Sequence, residues 1–231
     1  MSEYAESSVN PFSRFGFERL FGLHQNSAPL IDFLHQLPGL APVERISFIS
    51  PADLFEEPGS GDAVFDLFCQ DALGIPIKIQ VQLLLSDQWW EKSLAYAYTS
   101  DYHEYVANAA PYPTYCLGIL ISDQCDCPLK FIEDSYLWRF DCTFEMFGMP
   151  DARFHFIYLE PNRYFASLPE PAEGSRLHQW LYVLANLPLL SVNAPMASDP
   201  LFYSFIQSAS LSNLCAEERE AYNRSLENFW Q

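Results

Sequence analysis

Asp66, Gln80 and Gln82 are the residues of this chain whose types and spacing could do chemistry together. Asp66 is a carboxylate inside an apolar run, AVFDLFC, while Gln80 and Gln82 stand one position apart in the run IPIKIQVQ. Side chains alternate across a strand with a period of two. If both runs are strands of one antiparallel hairpin, the three polar groups therefore share a sheet face. Such a face, when it carries two carboxylates, can hold Mg²⁺ for phosphodiester hydrolysis while a third group orients water. Mg²⁺ demands hard oxygen ligands at tight octahedral distances, so the number of carboxylates decides how well the site works. Read without that chemistry, Gln80 and Gln82 are the solvated side of a half-exposed strand, and Asp66 is an edge acid or one close to a turn.

The elements that must position these groups follow from periodicity. Ala63 to Cys69 reads as one strand and Ile75 to Gln82 as the next, with a turn at Leu73-Gly74 and Pro76 at the strand entry. Before them, apolar spacing predicts helices over Phe12 to Leu23 and Ala28 to Leu37, the second stopped by Pro38-Gly39. A short strand is expected from Arg45 to Ile49, then a loop over Ser50 to Gly61. After the hairpin come a long helix, Trp89 to Asn108, and a continuous apolar strand, Tyr115 to Ile121, of the kind buried on both faces. Trp138 to Phe144 and Phe154 to Leu159 read as further strands. The last third turns helical over Arg176 to Ala185, Leu201 to Ser210 and Ala216 to Phe229. This layout predicts an α/β or α+β protein, with a core over 1–165 and a helical C-terminal region over 166–231 packed on it.

Composition narrows the function classes. The chain has 231 residues, 49% of them hydrophobic and 16% aromatic, which is ample material for a packed core and excludes a disordered chain. Lys and Arg number 12 against 30 Asp and Glu, a formal charge of −18. Phosphate backbones are held by Lys and Arg, so this balance disfavours DNA, RNA and anionic membrane surfaces and fits a basic protein partner. The start, MSEYAESSV, lacks the basic and apolar regions of a signal peptide, and a cytoplasmic protein is expected. No apolar run approaches the roughly 20 residues of a membrane helix. The six cysteines are expected as reduced, mostly buried thiols, because Cys125-Asp126-Cys127 has no matching Cys/His pair for zinc. The aromatic stretches around Trp89-Trp90 and Tyr96 to Tyr105 lack interleaved basic residues, which favours core over base stacking.

Taken in order, NPFSRFGFERLFG, FLHQLPGL, AVFDLFCQDALGIPIKIQVQ and WWEKSLAYAYTSDY follow one pattern. The chain resembles the PD-(D/E)XK nuclease family transposases, also called recombination-promoting nucleases. YCLGILIS, HFIYLEPNRY and EEREAYNRSLENF extend the likeness over nearly the whole chain. The resemblance implies a restriction-endonuclease-like mixed β-sheet flanked by helices, DNA as substrate, Mg²⁺ as cofactor and a part in DNA recombination. It also implies Asp66 as metal ligand and Gln82 as the glutamine that the family uses where other PD-(D/E)XK enzymes place lysine. Gln80 then stands where the metal-binding glutamate belongs and is a weak, neutral ligand. The first-helix acid and lysine of the family correspond to Arg14 and Glu18, a pair four apart with its signs reversed, and the long-helix arginine corresponds to Ser93.

Three readings follow. In the first, cleavage is impaired or lost, the site is degenerate, and the protein is a binding or regulatory module. In the second it is an active endonuclease whose second carboxylate has migrated, with Glu18 or Asp62 as the substitute ligand. In the third it is an acidic interaction protein or DNA mimic. Homodimerisation is expected by analogy with nucleases that cut both strands.

Overall fold

A computed structural model describes residues 7–22, 27–51, 63–84, 90–97, 114–121, 137–143, 153–160 and 174–229. Six strands, β1 (Arg45–Pro51), β2 (Ala63–Gln70), β3 (Pro76–Leu84), β4 (Thr114–Leu120), β5 (Leu137–Thr143) and β6 (Arg153–Leu159), form one sheet in the order β1-β2-β3-β4-β6-β5. β1, β2 and β3 are antiparallel neighbours, β4 runs parallel to both β3 and β6, and β5 closes the far edge antiparallel to β6. Among the described residues the α-helices are α1 (Arg14–Phe21), α2 (Ala28–Leu34), the helical residues 90–97 (α3), α4 (Arg176–Asn186), α5 (Pro200–Ala209) and α6 (Ala216–Phe229). This is the α/β arrangement of a mixed sheet flanked by helices that the resemblance implies.

Local chemistry sets the element ends. Asn10 Oδ1 accepts from the Phe12 N–H at 3.0 Å, and Ser13 caps α1 by accepting from Gly16 N–H at 3.0 Å, so the helix starts at Arg14 and not at Phe12. α2 ends at Leu34, three residues short of the expected Leu37, in a turn that leads to Gly39 at φ +81°. In the β2–β3 turn the Asp71 carboxylate accepts from the N–H groups of Leu73 and Ile75, each at 2.8 Å, and Gly74 takes φ +76°. That turn fixes the register pairing Asp66 with Gln80 and Val64 with Gln82.

The two faces of the sheet carry different covers. On one, Phe65, Leu67, Ile79, Val81 and Leu117 join a continuous hydrophobic cluster with residues of α1, α2, α4, α5 and α6. Phe17 of α1 stacks on Phe65 with ring centroids 4.6 Å apart, and Trp180 of α4 is buried edge-on to Phe202 and Phe205 of α5. The N-terminal residues strap this layer, since the Val9 N–H donates to Ala209 O and the Asn10 N–H to Tyr222 Oη, each at 2.9 Å. Arg176 ties α2 to the start of α5, donating to Asp32 Oδ2 at 2.8 Å and Asp199 Oδ2 at 2.6 Å while lying 4.3 Å over the Phe202 ring.

α3 covers the other face, with the Trp90 ring 6.5 Å from Phe156 and 6.3 Å from Tyr158. β3 is consequently buried on both sides from Ile77 to Leu84, which corrects the half-exposed reading of Gln80 and Gln82. A strand flanked by β2 and β4 and sandwiched between helices has no solvated side. Trp89, the rest of the helix expected to Asn108, Asp62, Phe144, most of the 50–61 loop and the Cys125-Cys127 pair lie outside the described residues.

Candidate functional site

Alternation along β2, β3 and β6 places Asp66, Gln80, Gln82 and Tyr158 on the α3 side of the sheet. Gln80, Gln82 and the facing Ser93 of α3 are each 0% exposed, and Asp66 is half-buried at the margin. Gln80 Nε2 donates to Asp66 Oδ1 at 3.1 Å. Gln82 Nε2 donates to Gln80 Oε1 at 2.7 Å and to the Ser93 carbonyl at 3.2 Å. Ser93 Oγ donates to Gln82 Oε1, and Tyr158 Oη lies 2.6 Å from Ser93 Oγ.

Each member's chemistry fixes the direction of this chain. An amide oxygen only accepts, so the single Ser93 hydroxyl proton points at Gln82, and Tyr158 must supply the proton of its own contact with Ser93. Along this run of side chains the donors therefore point one way, Tyr158 to Ser93, Ser93 to Gln82, Gln82 to Gln80 and Gln80 to Asp66, while the second Gln82 N–H turns to the Ser93 backbone carbonyl. A run of aligned hydrogen bonds in a buried site polarises cooperatively, with its donor end aimed at the anion. Gly118 of β4, in register with both Gln82 and Tyr158, makes the geometry available. A Cβ there would sit 2.2 Å from Tyr158 Cδ1, so only glycine lets the ring lie across β4 and reach Ser93.

The donor set is a poor match for a divalent ion. Two hard oxygens converging on one point are the minimum of a Mg²⁺ site, and here Gln80 turns its oxygen to Gln82 and its N–H toward Asp66. Among the described residues no group of three or more His, Cys, Asp and Glu could hold a metal. Asp66, Gln80 and Gln82 are thus brought together, but Glu18 is not brought to them. Its neighbour Phe17 packs on Phe65, which points to the opposite face of β2 from Asp66, and the Glu18 carboxylate pairs with Arg14 Nε at 3.3 Å. Arg14 and Glu18 do form the i,i+4 pair expected from their spacing. Of the described thiols, Cys69 and Cys116 are buried and Cys215 is exposed, and burial pushes Cys69 up to about 12, which disfavours its thiolate form.

Sequence reasoning missed Tyr158 and Gly118 and treated Ser93 only as a lost arginine. Nothing local marks Tyr158, which lies 65 residues from Ser93. Gly118 did carry a signal, as a glycine inside the apolar strand YCLGILI, where a close approach by a neighbour is the usual reason.

Among the described residues no helix is long and apolar enough to cross a membrane. A scan against family models matches residues 11–231 to the PD-(D/E)XK nuclease family transposases. Neither the comparison with curated proteins nor that with solved structures found a match.

Proposed function

Because the chain belongs to the PD-(D/E)XK nuclease family transposases, we propose that it keeps the nuclease scaffold, has impaired or lost metal-dependent DNA cleavage, and acts as a binding or regulatory module. Nucleases of this family generally use a divalent metal, and the residues on the Asp66 face of this chain do not suit one. The observation that carries the reading is the one-way hydrogen-bond chain from Tyr158 to Asp66. It spends the Gln80 oxygen inside the protein and offers the Asp66 carboxylate an N–H donor from the residue that should be its partner ligand.

Charge supports a protein partner over DNA. A formal charge of −18 repels a phosphate backbone over the chain as a whole, and several of the described cations are already paired with carboxylates. Arg19 pairs with Glu218 at 2.6 Å, Arg14 with Glu18, and Arg176 with Asp32 and Asp199, while Lys78 is buried. A basic protein surface is the partner that this balance suits.

The test is cleavage of supercoiled plasmid and linear duplex with Mg²⁺ or Mn²⁺. No nicking or linearisation above the Asp66→Ala background is expected. Cleavage by the wild-type chain that disappears in Asp66→Ala would overturn the reading.

A further inference from the structure

Between Ala216 and Glu227 of α6, Tyr222 is the one buried residue. A 14-residue helix with so little buried surface is marginal in water on its own, so its contacts decide whether it stays formed. Those contacts run to the N-terminal segment. Tyr222 Oη accepts from the Asn10 N–H at 2.9 Å, Ser225 Oγ accepts from the Phe15 N–H at 3.1 Å, and Glu218 Oε1 pairs with Arg19 at 2.6 Å. The Phe15 and Tyr222 rings lie 5.7 Å apart. The link that leads into α6 is held by the same segment. Val9 N–H donates to Ala209 O at 2.9 Å and Leu211 N–H donates to Ser7 O at 3.0 Å, on either side of the antiparallel pair Ser8 and Ser210. Arg219 closes the start of α6 back onto this link, donating to Leu211 O at 2.8 Å. Residues 209–222 are thus gripped at both ends by Ser7–Asn10, and Gly16 makes room for the grip, since a Cβ there would run into the Asn10 carbonyl.

We propose that Ser7–Asn10 is a clasp on the C-terminal helix: α6 leaves the protein as one unit, and only when the clasp lets go, uncovering the Phe15 and Tyr222 rings and the N–H of Phe15 at the start of α1. Opening as a unit follows from cooperativity. Once Tyr222 is out, little buried surface holds the remaining turns, and a short polar helix melts. Dependence on the clasp follows from the double grip, because Tyr222 cannot move away while the link at 209–211 and the Asn10 N–H both hold it. Elements with few buried apolar groups open at far lower free energy than a central strand, so this motion occurs with the sheet intact. The chain therefore has a closed and an open state whose balance Ser7–Asn10 sets. The inference goes beyond the reading of the preceding subsection and does not depend on it.

Hydrogen exchange of the full chain, read by peptide mass spectrometry, tests this with a reversible lock on the clasp. Ser8 and Ser210 are a directly opposed pair without hydrogen bonds to each other, a geometry in which Cα atoms come to about 4.5 Å and a disulfide can close. Ser8→Cys with Ser210→Cys, in a Cys215→Ser background that removes the exposed thiol nearby, should therefore oxidise to the 8–210 bridge, checked by peptide mapping. In the oxidised protein the amides of 216–229 should exchange at least about tenfold more slowly than after reduction, with β3 unchanged. Tyr222→Phe, which strips the acceptor from the Asn10 N–H, should act the other way, speeding all of 216–229 together by about tenfold while β3 keeps its rate. Equal α6 rates in the oxidised and reduced proteins, or α6 exchanging only as slowly as β3, would overturn the clasp. So would failure of the 8–210 bridge to form, or a Tyr222→Phe effect confined to the amides beside the substitution.

Discussion

Gln82→Leu is the perturbation that cuts the buried chain at its centre. Gln82 joins three hydrogen bonds in a region with no solvent: to Gln80 Oε1 at 2.7 Å, to the Ser93 carbonyl at 3.2 Å, and from Ser93 Oγ. Leucine fills a similar volume but leaves Gln80 Oε1 without its donor and the Ser93 hydroxyl without its acceptor. Stranding a buried polar group costs about 1–3 kcal/mol each, and the added apolar burial returns about 1–2 kcal/mol. The net loss is about 3 kcal/mol, which for a chain of this length lowers the midpoint of thermal unfolding by roughly 6–12 °C. Urea unfolding of Gln82→Leu, Ser93→Ala and the double variant measures both the loss and the coupling. Because the two residues share one network, the double variant should lose less than the sum of the singles, by about 0.5–3 kcal/mol. A Gln82→Leu protein within about 0.5 kcal/mol of wild type, or strict additivity with Ser93→Ala, would refute the chain.

Three further outcomes follow from the same structure. Gly118→Ala should cost about 1–3 kcal/mol by overpacking, because its Cβ would meet the Tyr158 ring at 2.2 Å, and combining it with Tyr158→Phe should add little further loss in urea unfolding. Desolvation would raise the Asp199 carboxyl, but hydrogen bonds from Arg176 and from the Leu201 N–H, with the guanidinium charge, hold it below the usual aspartate value. A depressed folded-state value contributes stability above the unfolded-state value, lost as pH falls through the folded one. Asp199→Asn should therefore be about 1 kcal/mol less stable than wild type at pH 7, and that gap should shrink below about pH 4; a pH-independent gap in urea midpoints would contradict this. Alkylation of the native protein at pH 8 followed by peptide mass mapping should modify Cys215 and spare Cys69 and Cys116, which react only after unfolding.

Much of the frame was legible in the sequence because its signals are local. The period-two runs around Asp66 and Gln80 and the Leu73-Gly74 turn gave the hairpin, with Asp66, Gln80 and Gln82 on one face as expected; the register that pairs Asp66 with Gln80 is read from the structure. The final helix, Ala216–Phe229, has the predicted bounds, and Glu218 accepts from the Cys215 N–H at 2.9 Å, a cap written into CAEE. Burial of Gln80 and Gln82 was not legible. A strand of alternating apolar and amide residues looks the same whether its polar side meets water or a helix that satisfies it. The difference lies in Ser93 and Tyr158, distant in sequence, and in Gly118, which only makes sense once the Tyr158 ring is seen across it. Whether Glu18 could reach Asp66 depended on which side of β2 the first helix takes, and the stack of Phe17 on Phe65 decides it.

Anomalous diffraction from crystals soaked in Mn²⁺ addresses the central claim most directly. The account predicts no manganese peak beside Asp66, with Gln80 Nε2 still within hydrogen-bonding distance of Asp66 Oδ1, at 3.1 Å in this structure. A well-occupied ion roughly 2.0–2.2 Å from an Asp66 oxygen, with the Gln80 amide turned to present its carbonyl, would contradict it.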